Sequence, residues 1–100
     1  MDEEEIAKQT AKKLGVPYAC FDNKILKMQK GENLETIIPE PFARENLVMP
    51  LFLDGETLAV AMANPSDKAL ADKIKLITGQ DLQPFISSRT QLLAAIKRHY

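Results

Sequence analysis

The sequence contains no tryptophan, one cysteine, one histidine and four glycines. Each shortage removes a class of function. With Cys20 alone there is no internal disulfide, which fits a reducing compartment. Gly15, Gly31, Gly55 and Gly79 stand far apart and none opens a GxxxxGK[ST] run, so a phosphate-cradling loop is missing. Metal-ligand spacing is absent as well. No apolar run approaches the roughly 20 residues that span a bilayer. The acidic start, Met1 followed by Asp-Glu-Glu-Glu, has the wrong charge for a signal peptide. An excess of either charge is lacking too: 13 basic and 14 acidic residues leave a net charge of −1, with no electrostatic footprint for nucleic acid or anionic lipid. These absences point to a cytoplasmic chain with no direct membrane insertion and no nucleic-acid partner.

What is present is an ordinary globular composition, 45% apolar and 27% charged over 100 residues. A chain of that length forms one domain and buries roughly 60–65% of its unfolded surface. Asp2 to Leu14 reads as a helix, capped by Asp2 with Glu5 at capping-box spacing, and with acids at the positive end of its dipole. Ile6, Thr10 or Ala11, and Leu14 form its predicted inward stripe. Gly15 and Pro17 end it. Tyr18 to Phe21 is a short strand candidate, and Lys24 to Asn33 shows no period and reads as irregular. Leu34 to Ile38 is a helical turn that must stop before Pro39, and a second short helix runs from the prolines to about Asn46.

The second half is more regular. Leu47–Leu53 and Thr57–Ala63 read as strands joined at Asp54-Gly55, a pair that predicts a type I′ hairpin turn. In the second strand Leu58, Val60 and Met62 share one face and Ala59, Ala61 and Ala63 the other, which predicts a central strand covered on both sides. Ser66 or Asp67 caps the next helix, whose buried stripe is Leu70, Ile74 and Ile77 and whose end is Gly79. Leu82 to Ser87 is a third strand, placed at an edge by Pro84. Ser88 and Gln91 have capping-box spacing and open a last helix with Leu92, Leu93 and Ile96 inward. The expected fold is α/β (α+β): a small mixed sheet of three to four strands, a β-β-α-β-α core over 47–100 preceded by a helical and irregular lead over 1–46. The passage from Thr57 to Ser87 is expected to be a right-handed crossover.

Few residues offer chemistry. No nucleophile lies near a base in sequence, and Cys20, between Ala19 and Phe21, reads as a small core residue. Met49 and Met62 read as core filling and His99 as solvated. Lys12-Lys13 and Lys97-Arg98-His99 lie at helix C-termini, where cations complement the dipole. Asn64-Pro65-Ser66-Asp67 sits at a strand-to-helix passage, where backbone amides can hold an anion. Asp67 would repel one, so the stretch reads as a helix cap. No catalytic, cofactor-binding or metal-binding residue is assigned.

The pieces AKKLGVPYACFD, IIPEPFARENLVMPLFLDGETLAVAMANPSD and IKLITGQDLQPFISSRTQLLAAIKRHY, in that order, resemble the N-terminal domain of the type II secretion and type IV pilus assembly ATPases across nearly the whole chain. The resemblance implies a non-catalytic docking domain that joins a cytoplasmic motor to an inner-membrane platform protein, peripheral to that membrane. It also implies a C-terminal ATPase domain as partner, with ATP and Mg bound there and not here, since Walker motifs are lacking. Some relatives bind cyclic di-GMP through tandem motifs beginning Arg-Leu-Gly. Here Glu3 to Lys13 matches only the tail of the second motif, and Lys13 stands where Gln is usual, so no such residues carry over. The expected partner surface is the exposed side of the first helix, with Glu3, Glu4, Lys8 and Lys12.

Overall fold

The computed structural model describes residues 3–21, 23–29, 31 and 33–100. Eight elements follow one another: α1 (Glu3–Leu14), α2 (Leu34–Ile37), α3 (Glu40–Asn46), β1 (Val48–Asp54), β2 (Thr57–Met62), α4 (Lys68–Thr78), β3 (Asp81–Ile86) and α5 (Arg89–His99). The sheet order is β1-β2-β3, with β1 antiparallel and β3 parallel to β2. This is the mixed sheet expected from the sequence. Beside β3, Tyr18 makes a single parallel bridge to Ile86, with Ala19 N–H donating to Ile86 O at 2.8 Å and Ile86 N–H to Pro17 O at 2.9 Å. The predicted strand at Tyr18 to Phe21 is therefore one bridge long. Past Ala19 the backbone turns away, and Phe21 N–H goes instead to the Gln91 side chain at 3.0 Å.

The central strand behaves as its alternation requires. Leu58, Val60 and Met62 on one face and Ala59 and Ala61 on the other are all buried. They join Leu26, Leu34, Ile38, Val48, Ile74, Leu92 and Ile96 in one apolar cluster. Helices α2, α3 and α5 meet β1, while α1 and α4 meet β3. The segment from Lys24 to Gln29 is irregular, as expected, yet it buries Leu26 and Met28.

The hairpin departs from its prediction. Asp54 pairs with Thr57, so the loop residues are Gly55 and Glu56. Gly55 has φ of +63 and Glu56 is not among the positive-φ residues. A type I′ turn needs positive φ at both loop positions, whereas positive φ at the first alone is the requirement of type II′. A glutamate in left-handed backbone would be strained, and the chain places only its glycine there. The ladder also carries an extra residue at Leu51, between the Pro50–Val60 and Phe52–Ala59 pairs.

Helix faces are the least legible feature. In α1 the buried residues are Ala7 and Ala11, while Ile6 is 50% and Leu14 41% exposed. Of the predicted stripe, Ala11 is buried while Ile6 and Leu14 are turned outward. Small residues let α1 sit close to β3, where Ala7, Ala11 and Ile86 form a small cluster of their own. In α4 only Ile74 is buried and Ile77 is exposed. In α5 the inward residues are Leu92, Ala95 and Ile96, and Leu93 is exposed. The expected cap at Asp2 falls outside the described residues. Asp67 caps α4 by accepting from Leu70 N–H at 3.1 Å, and Ser66 instead bonds Asn64. Ser88 caps α5, but Gln91 does not close the box because its carboxamide holds Phe21.

Candidate functional site

Of the four residues expected to form a partner surface on α1, the structure brings three onto one stripe. Glu4, Lys8 and Lys12 recur every fourth residue, and Lys8 Nζ lies 3.8 Å from Glu4 Oε1. Lys8 and Lys12 are exposed and Glu4 is half-buried. Lys8 also sits 5.8 Å from the centroid of the Tyr18 ring, so one cation is shared between a carboxylate and an aromatic face. The Tyr18 hydroxyl oxygen is buried and makes no hydrogen bond of normal geometry among the described residues. Burial, and after it the charge of Glu4, pushes that phenol well above its ordinary range.

Glu3 lies off this stripe and faces α5. Its carboxylate accepts a hydrogen bond from the Thr90 hydroxyl, which draws the N-terminal ends of the two helices together. One turn further along each helix stand Ile6 and Leu93, both exposed. Sequence periodicity turns both inward and so misses them as surface residues. Ile6, two residues from both Glu4 and Lys8, lies across α1 from the charged stripe, on the flank of Glu3.

A second feature lies at the other edge of the sheet. Between the segment Lys24–Gln29 and the end of β1 runs an open groove of about 830 Å³. Its floor is apolar, with Ile25, Met28 and Leu53, and its rim carries Lys24 and Lys27. His99, expected in solvent, is half-buried and closes one end. Arg98 stands over the Phe21 ring at 5.0 Å beside that end. No periodic signal marks the irregular segment, so nothing in the sequence points to a groove there.

Cys20 is buried, Met49 and Met62 fill the core, and the Asn64–Asp67 stretch serves as the start of α4. Among the described residues no group of three or more His, Cys, Asp or Glu is placed to hold a metal ion, and no helix is long and apolar enough to cross a membrane.

Comparison with known proteins gives this fold a context. Residues 14–100 match the MshEN domain. The type IV pilus assembly ATPase PilB of Myxococcus xanthus is 33% identical over 64 residues, 64% of this chain. The PilB of Thermus thermophilus is 24% identical over the whole chain. The chain spans 11% of the length of each of these relatives. The solved N-terminal domain of XpsE superposes with a TM-score of 0.85 at 21% identity, over 100% of this chain and 68% of that one. The structure of MshE with cdg gives 0.82 at 20% identity, over 100% and 70%. The chain belongs to the MshEN domain family and is an N-terminal domain of the type II secretion and type IV pilus assembly ATPase type.

Proposed function

We propose that this domain is a non-catalytic docking module, which tethers a cytoplasmic secretion or pilus motor to the cytoplasmic part of an inner-membrane platform protein. The contact is made by the outward side of α1. The observation that carries this reading is the outward turn of the large residues of that helix: Ala7 and Ala11 inside, Ile6 and Leu14 outside. Exposed apolar groups gain stabilisation only when something covers them. Here α1 offers exposed Ile6 on one flank and the Glu4, Lys8 and Lys12 stripe on the other, so apolar and charged groups are both available to a protein partner. Membrane association in this reading is peripheral and runs through the partner.

Calorimetric titration with the cytoplasmic domain of the platform protein encoded beside this chain tests the proposal. Saturable one-to-one binding is expected, weakened about tenfold by Ile6→Asp and roughly three- to tenfold by reversing Glu4 and Lys8 together. Unchanged affinity in both variants removes α1 as the contact. The second reading is a cyclic di-GMP sensor, favoured by the fold shared with MshE, which was solved with cdg. Against it, the Arg-Leu-Gly motif starts are absent from this chain. Heat on adding cyclic di-GMP, with silence from the platform domain, would favour the sensor over the dock.

A further inference from the structure

We propose that the outer edge of β1 is a second docking site, taking an extended acidic segment of a partner protein as an added strand. The site is distinct from α1, which meets β3 at the opposite side of the sheet. Its basis is backbone pairing. β1 is a terminal strand of the sheet, so one of its edges faces away from β2. In the hairpin Asp54 and Thr57 close the loop and form the hydrogen-bonded pair, so the next pair, Leu53 with Leu58, directs its backbone groups outward. Leu53 N–H and C=O therefore point into the groove. Among the described residues the one bond made to the outer edge is Gln29 N–H to Leu51 O at 2.8 Å. Natural sheets usually cover or charge such an edge, because it is a template for another strand. Here the segment Lys24–Gln29 covers the edge only at Leu51, and beside Leu53 its Ile25 and Met28 form a seat for an apolar side chain.

Charge selects the occupant. Around the groove and the small hollow that adjoins it, the described cations are Lys24, Lys27 and Arg98 and the described carboxylate is Asp54. Among the described residues, three positive side chains face one carboxylate there. The described charges of the groove are mainly positive, and an acidic strand is favoured over a neutral or basic one. Its volume, about 830 Å³, accommodates a short extended stretch, since four residues in a strand span roughly 13 Å.

The test is fluorescence anisotropy with the 100-residue chain and a labelled peptide, Glu-Glu-Val-Tyr-Val-Glu-Glu. Three controls accompany it: the same peptide with lysines for glutamates, the same peptide N-methylated on alternate backbone nitrogens, and inorganic phosphate as competitor. Saturable binding below about 1 mM is expected. It should fall about tenfold or more on N-methylation and in Lys24→Glu/Lys27→Glu, whose thermal unfolding should match the parent because both lysines are exposed. Equal binding of the N-methylated peptide overturns strand addition, and equal binding of the lysine peptide overturns the charge selection. Displacement by millimolar phosphate would mean a small-anion site and would also overturn the proposal, as would no binding up to about 1 mM. Because Ile6→Asp leaves this groove intact, loss of platform binding without loss of peptide binding separates the two docking surfaces.

Discussion

At the residue scale the two tyrosines are the most informative side chains. Tyr18 buries a hydroxyl oxygen without a hydrogen bond of normal geometry, and Glu4 acts on it through charge. A buried polar atom left unpaired costs stability, so deleting it is favourable or neutral. Tyr18→Phe should leave the urea midpoint unchanged or raise it. A loss of about 1 kcal/mol or more would reveal a hydroxyl partner instead. Tyr100 is the opposite case, because its hydroxyl donates to Ile38 O at 2.7 Å and pins the end of α5 to the end of α2. Burial first, then the charges of Glu35 and Glu40, push its phenol up from 10.0. Both folded phenols hold their protons above pH 10, where the unfolded chain releases them. The unfolded state then binds fewer protons, and stability must fall as pH rises beyond 10. Denaturant melts between pH 9 and 11 should show that decline, and Tyr100→Phe should remove its share and leave that of Tyr18, while losing about 1 kcal/mol at neutral pH.

At the element scale the strands and most helix limits were legible because alternation and caps are local. Ser88 and Asp67 announce α5 and α4, and Pro39 announces α3. The faces of helices were not legible. The periodic rule turns the largest apolar residue inward, but the space over β3 admits only Ala7 and Ala11, so Ile6 and Leu14 are turned out. The candidate site was half legible for the same reason. Glu4, Lys8 and Lys12 could be read from charge spacing, whereas Ile6 and Leu93 could be found only after the face was known. The hairpin gives a sharp check on turn type. Gly55→Ala should cost about 1 kcal/mol by forcing positive φ on a residue with a Cβ. Glu56→Gly should bring no gain, because Glu56 already sits at ordinary φ; a stabilising effect in thermal melts would restore the type I′ reading. On α4, Leu76 is 83% exposed, and Leu76→Gln should stay within about 0.5 kcal/mol of the parent.

At the scale of the molecule, the lead over 1–46 and the sheet share one apolar cluster. Leu34 and Ile38 from the lead are buried with Leu58 and Leu92. Leu34→Ala and Leu92→Ala should therefore each cost roughly 2–4 kcal/mol and shift one common unfolding transition, followed by both circular dichroism and tyrosine fluorescence. A variant that melts its lead ahead of its sheet would divide the chain into two units. The small separate cluster of Ala7, Ala11 and Ile86 carries a different consequence. Two alanines anchor α1 with little apolar area, so its amides should exchange with deuterium by local opening well before those of β2. Under the docking role proposed above, tension applied through α1 is released at this seam, which makes the helix a mechanical fuse that can part and re-form while the sheet behind it stays folded.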